Sequence, residues 1–238
     1  MGVDYAAGTV LLFDKPLGWT SFDLVNSIRH SLKNYTGIKK LKVGHAGTLD
    51  PLASGLLIIC TGRKTKEIDL LQAFEKEYTG TFVLGATTPS FDLESQVDQT
   101  YETAHITPEL LDQACRKFTG TFQQTPPVFS AIKIDGKRAY EYARENLEVE
   151  IKSKEVNISV FELTRIALPE VDFKVVCSKG TYIRALARDF GLALGSGAYM
   201  SALRRTRIGE FKVEDAQDVN VFKQEIKKCK FIEKQVVV

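Results

Sequence analysis

An α+β fold is predicted from three observations. Apolar segments of strand length alternate with segments of helical periodicity, no internal repeat or low-complexity linker interrupts them, and 238 residues with 44% hydrophobic content suffice for one large core or a core with a small satellite. Thr9 to Phe13 is a short apolar strand and Lys15 to Gly18 a turn. Thr20 or Ser21 then caps a helix whose Phe22, Val25, Ile28 or Arg29, and Leu32 recur at helical spacing. Leu56 to Ile59 is a buried strand. Tyr78 to Leu84 alternates, with Tyr78, Phe82 and Leu84 on one face and Thr79, Thr81 and Val83 on the other. Thr107 and Pro108 open a helix carrying Leu111, Ala114 and Phe118. Ser130 to Ile134 with Asp135-Gly136 reads as a strand end and turn, and Val156 to Leu163 as another strand. After Val171 the alternation of Phe173, Val175 and Cys177 leads through a turn at Lys179-Gly180 into a helix from about Tyr182 to Leu194.

Composition excludes several function classes. The apolar run Leu56 to Cys60 is far too short to span a bilayer, and the start MGVDYAAG has neither the basic nor the apolar region of a signal peptide, so no membrane is expected and the cytoplasm is the default location. Cys60, Cys115, Cys177 and Cys229 are scattered without a CxxC pair, which points to buried small apolar residues instead of zinc ligands or a disulfide framework. His30, His45 and His105 lack metal-ligand spacing, and no Walker or Rossmann glycine pattern occurs. No metal and no cofactor are expected.

The stretch GHAGTLDPLASG, Gly44 to Gly55, concentrates the chemistry. Gly44 and Gly47 flank His45 and let the backbone approach a ligand, while Pro51 pushes Asp50 into extended geometry and so aims its carboxylate. On turn chemistry alone the stretch reads equally well as a glycine-rich turn closed by Asp-Pro. The net charge of +2 says little, but the distribution says more. Lys39, Lys40 and Lys42 precede this loop, Arg63, Lys64 and Lys66 follow it, and Arg204, Arg205 and Arg207 recur late. Any one cluster reads as solvated surface; two that bracket the loop favour a phosphate-backbone footprint.

GHAGTLDPLASGLLIICTG resembles the catalytic motif of the TruB family of pseudouridine synthases, with Ala46 where many members carry threonine. The resemblance implies that Asp50 is the nucleophile and that His45 helps displace the target base. CSKGTYIRALARDFG resembles a second family signature, which implies that Arg184 pairs with the catalytic aspartate and that Tyr182 lines the uracil pocket. A guanidinium suits that role, because its planar, permanently charged fork offsets the burial of a carboxylate and orients it. KEYTGTFVLG resembles the strand whose tyrosine, here Tyr78, stacks on the target base, and LLFDKPLGWTS the motif in which Lys15 and Pro16 support the loop, with a phosphate contact for Lys15. TPPVFSAIKIDGKRAYEYAR resembles a segment beside the RNA, with Lys133, Lys137, Arg138 and Tyr140 as candidate contacts. TTPSFDLES resembles a family loop but has Ser95 in place of a glycine, which weakens any role assigned to Asp92, and LRRTRIGEF matches the family well.

The family fold is a mixed, largely antiparallel sheet flanked by helices, with a central active-site cleft. The implied organisation is a catalytic domain over 1–215 and a short tail over 216–238, about 27 residues after Phe211 being too few for a PUA barrel. The implied activity is isomerisation of the T-loop uridine 55 of tRNA, by attack on C1′ or C6, in a monomer that grips the T arm through Lys15, Lys39, Lys40, Lys42, Arg63, Lys64, Lys133, Arg138 and Tyr140 with no obligate protein partner. A tRNA-folding chaperone and a synthase for another RNA are the alternatives.

Overall fold

The computed structural model describes residues 3–130, 133–134, 136–144 and 149–236, and the side chains of 133, 134, 138, 140, 143, 144 and 230–236 lie outside that description. In chain order the elements are β1 (Val10–Lys15), α1 (Ser21–Thr36), β2 (Val43–His45), β3 (Ala53–Thr61), a 3-10 turn (Gly62–Glu67), α2 (Ile68–Ala73), β4 (Lys76–Leu84), β5 (Ala86–Thr87) and β6 (Gln99–Thr100). There follow α3 (Pro108–Lys117), β7 (Gly120–Gln124), β8 (Lys133–Ile134), β9 (Lys137–Arg138), α4 (Ala139–Arg144), β10 (Lys154–Ala167), β11 (Glu170–Cys177), α5 (Ile183–Ala193), β12 (Ala198–Ile208), β13 (Phe211–Lys212) and α6 (Val219–Val236). Two compact units result, Met1–Lys76 with Arg204–Val238, and Glu77–Leu203.

In the first unit β3 pairs antiparallel with β1 and with β2. β3 is apolar at every position from Leu56 to Cys60 because both of its faces are covered: Leu57 and Ile59 join Phe13, Leu24, Ile28 and Leu32 on one side, and Leu56, Ile58 and Cys60 join Leu71 and Ile208 on the other. Thr20, not Ser21, caps α1, in a capping box with Asp23. Phe22 was expected on the buried stripe but is exposed; the stripe is Leu24, Val25, Ile28 and Leu32. α6 packs against α1 and sends Val219, Phe222 and Ile226 into the same core. The stretch expected as a tail therefore helps to build this unit.

In the second unit the strand order is β12-β4-β11-β10-β7, with β11, β10 and β7 antiparallel. Phe82 of β4 stacks on Phe173 of β11 at 4.1 Å, and Phe161 of β10 and Phe190 of α5 close around them. The alternation read in β4 holds, Tyr78, Phe82 and Leu84 being buried together. Cys60, Cys115 and Cys177 are buried as expected, and burial pushes the Cys60 and Cys115 thiols up to about 11 and about 12. Cys229 corrects the expectation, because it lies on the exposed face of α6. Asp135 of the expected turn lies outside the described residues, although β8 and β9 on either side of it do pair.

Candidate active site

In the first unit the loop between β2 and β3 carries Asp50, and every part of it is tied to another element. Ala46 donates from its backbone N–H to Ile58 O at 2.9 Å. Ser21, at the start of α1, donates from Oγ to Leu49 O at 3.1 Å and accepts from Leu49 N–H at 2.8 Å. Gly18 N–H donates to Pro51 O at 2.8 Å and Ala53 N–H to Asp50 O at 3.1 Å. Asp50 is thus held by Leu49 before it and Pro51 after it. The left-handed backbone this path requires falls at Gly47 (φ +102°) and Gly55 (φ +105°), so Gly44 serves as an ordinary strand residue of β2. At Gly55 a methyl group would collide with Arg205 O at 2.3 Å.

Two basic residues lie against this loop. Lys15, expected to reach a phosphate, is corrected: it is fully buried and donates from Nζ to Pro16 O at 3.0 Å and Trp19 O at 2.6 Å, which fixes the turn that holds Pro51. Burial lowers its pKa to about 8, against the raising effect of Asp50. Arg205, expected in a surface cluster, is 1% exposed. Its cluster is satisfied internally, with Arg204 paired to Asp14 at 2.6 Å and Arg207 to Glu75 at 3.1 Å. His45 is half-buried, its Nδ1 has no hydrogen-bond partner among the described residues, and burial first and Arg205 second lower its pKa.

In the second unit Arg184 is 5% exposed at the first turn of α5. Its guanidinium donates to Ser90 O at 3.1 Å and Phe129 O at 2.9 Å and lies 3.4 Å from the Asp92 carboxylate, itself buried. Ser95 does not disrupt the Asp92 loop: its hydroxyl and that of Ser90 lie 2.7 Å apart, and each accepts the other residue's backbone N–H. Tyr182 precedes α5 and is clasped by the fully buried Gln124, whose Oε1 accepts Tyr182 N–H at 2.9 Å while Nε2 donates to Tyr182 O at 3.1 Å. Lys154, opposite Gln124 in the β7–β10 ladder, sets its Nζ 4.5 Å from the Tyr182 ring centroid. Tyr78 lies on β4 at 9% exposure.

The expected RNA contacts divide. Lys39, Lys40, Lys42 and Arg63 are exposed, and Lys64 is half-exposed and ion-paired with Glu67 at 2.8 Å. Because Val43 pairs with Thr61 and Gly62 N–H donates to Lys42 O at 2.9 Å, the two clusters meet at one end of the β2–β3 ladder, about 10 Å from His45 at 3.3 Å per strand residue. Lys133 and Arg138 are paired in β8–β9 and Tyr140 lies on α4; their side chains lie outside the described residues. Sequence reasoning missed Ser21, Gln124 and Lys154 as supports, and only a contact map joins them to residues 28 to 58 positions away. Among the described residues no group of three His, Cys, Asp or Glu side chains could hold a metal, and no helix is long and apolar enough to cross a membrane.

The first unit thus holds a half-buried, strapped aspartate and the second a buried arginine beside a clasped tyrosine, and comparison with known proteins supplies the class. Residues 33–183 match the TruB family pseudouridylate synthase N-terminal domain and 184–234 the tRNA pseudouridylate synthase B C-terminal domain. The chain belongs to the TruB family of pseudouridine synthases. It is 56% identical over 224 residues to a protein of Flavobacterium johnsoniae named tRNA pseudouridine synthase B, covering 94% of this chain and 98% of the relative. A protein of the same name from Phocaeicola vulgatus is 56% identical over 220 residues, covering 92% and 94%. Among solved structures, a chain of a Cbf5-Nop10-Gar1 complex is similar with a TM-score of 0.69 at 30% identity, over 92% of this chain and 54% of that one.

Proposed function

We propose that this enzyme isomerises the T-loop uridine 55 of tRNA to pseudouridine, with Asp50 as nucleophile. The observation that carries the reading is the strapped loop, which holds one carboxylate between fixed neighbours as covalent catalysis requires. The relatives named tRNA pseudouridine synthase B, matched almost end to end, support tRNA as substrate.

In the reaction the C1′–N1 bond breaks, the ring turns, and a C1′–C5 bond forms. C5 loses its proton and N1 gains one, so atoms balance without a donor or an oxidant. Asp50 adds to C1′ or to C6. The family resemblance assigns Arg184 to the catalytic aspartate, Tyr182 to the uracil pocket, Tyr78 to the stack on the base and His45 to its displacement, and stacking on Tyr78 with phosphate contacts offsets the few kcal/mol of unstacking. The chain works as a cytoplasmic monomer with no obligate protein partner, gripping the T arm through Lys39, Lys40, Lys42 and Arg63, with Lys133, Arg138 and Tyr140, while Lys64, ion-paired with Glu67, contributes least.

The test is to incubate the purified protein with unmodified tRNA and map pseudouridine position by position, with sedimentation giving the oligomeric state. Modification confined to the T-loop uridine is expected. Conversion at other sites only, or tRNA refolding without conversion, would replace the reading with one of its two alternatives.

A further inference from the structure

Arg205 is among the largest fully buried side chains, and its hydrogen bonds go to three carbonyls: Nε to Leu56 O at 2.8 Å, Nη2 to Gly47 O at 3.0 Å and Nη1 to Thr48 O at 3.4 Å. Among the described residues no carboxylate lies within ion-pair distance of it, and its charge adds to the burial that chiefly lowers the pKa values of its neighbours Lys15 and His45. Desolvating a guanidinium costs several kcal/mol, and carbonyls without a counter-charge offset this only in part. A core built for stability alone would place an apolar side chain there.

We infer that Arg205 is a positioning residue for the chemical step: it fixes the loop leading into Asp50 by spanning Gly47, Thr48 and Leu56, while Ser21 fixes Leu49 from the other side. The planar fork is what the site uses. Three carbonyls from two stretches of chain fall to three different nitrogens of one rigid group, and lysine, with one ammonium on a flexible stem, cannot copy that spread. Gly55 permits the close approach of the two stretches, since a methyl group there would strike Arg205 O at 2.3 Å, while Gly47 supplies the left-handed φ of +102° that this loop path requires.

The inference rests on Asp50 being the nucleophile, and the experiment separates the two. Full-length Arg205→Lys and Arg205→Met are compared with wild type on unmodified tRNA tritiated at uridine C5. Single-turnover tritium release, tRNA affinity, thermal stability and amide exchange over 46–53 are read. Arg205→Lys should slow single turnover by about 100-fold, the order a small misplacement of a reacting group produces, with tRNA affinity within about threefold and faster exchange at Leu49. The His45 ring should titrate higher in Arg205→Met, which loses the charge, but not in Arg205→Lys. Turnover within about threefold of wild type in folded Arg205→Lys, or turnover and affinity falling together, would overturn the inference, as would failure of both variants to fold. A wild-type protein that releases no tritium would sink the nucleophile reading, and loop exchange would still report whether Arg205 holds the loop.

Discussion

Two buried arginines illustrate how one residue type serves two ends. Arg184 lies beside the buried Asp92 carboxylate, 3.4 Å away, while Arg205 faces carbonyls. Lysine at 184 would keep the charge but could not address Ser90 O, Phe129 O and a carboxylate together, so Arg184→Lys should lower single-turnover activity by orders of magnitude at near-normal thermal stability; near-normal activity would show that charge alone suffices. Asp50→Asn should abolish tritium release while tRNA affinity stays within a few-fold, because the amide keeps the shape but is no nucleophile. Appreciable release from this variant would place the nucleophile elsewhere. His45 gives a pH dependence. Its folded pKa is below the ordinary 6.5, so as pH falls the unfolded chain takes the proton first. This contribution to stability is present in full above about pH 6.5 and is lost as pH falls through the lower folded value. Urea midpoints at about pH 7.5 and about pH 5.5 should therefore differ less in His45→Asn than in wild type, and equal slopes would remove His45 from the account.

Among the elements, those with a local cause were legible. The period-two pattern of β4 and the helix read from about Tyr182 to Leu194 follow from the geometry of strand and helix, and both elements are found, the second as α5. Phe22 was misread because its spacing fits the stripe by one residue, whereas burial is decided by where α6 and β1 press, which is not a local property. The stretch from Gly44 to Gly55 was legible as composition, but not its straps. Ser21 to Leu49, Arg205 to Gly47 and Gln124 to Tyr182 join residues that no period connects. Arg205 was read as part of a surface cluster because basic residues usually are exposed, and for Lys15 the supporting role was read but not its full burial; both stems are drawn inside by backbone carbonyls the sequence does not display. The Gln124 clasp gives this scale its test. Gln124→Ala leaves one donor and one acceptor at the head of α5 without their buried partner, so unfolding free energy in urea should fall by about 1–3 kcal/mol. An unchanged midpoint would mean that the Tyr182 backbone finds replacement partners at no cost.

For the molecule as a whole, the near-neutral total conceals a concentration of charge where the β2–β3 ladder ends. Lys39, Lys40, Lys42 and Arg63 are exposed there, whereas Arg204, Arg205 and Arg207 spend their charge on Asp14, on carbonyls and on Glu75. Only the first group can displace counterions from a phosphate backbone. If the T arm docks on it, with the segment around Lys133 adding contacts, about 4 to 6 phosphates are neutralised and log K should fall against log salt with a slope of roughly −3 to −5. The contributions should not be equal. Lys64 already holds Glu67 and should release little on binding, so Lys64→Ala should leave the slope nearly unchanged, while Lys39→Ala, Lys40→Ala and Arg63→Ala should each reduce its magnitude by up to about one. Arg204→Ala should leave the slope alone, its partner Asp14 being internal. An isolated T-arm hairpin should bind with nearly the same slope as whole tRNA, because the basic end is compact. Titrations of both RNAs across a salt series decide the matter: a flat response, a steeper loss for Lys64→Ala than for Lys39→Ala, or a slope that needs the rest of the tRNA would each move the footprint away from the end of this ladder.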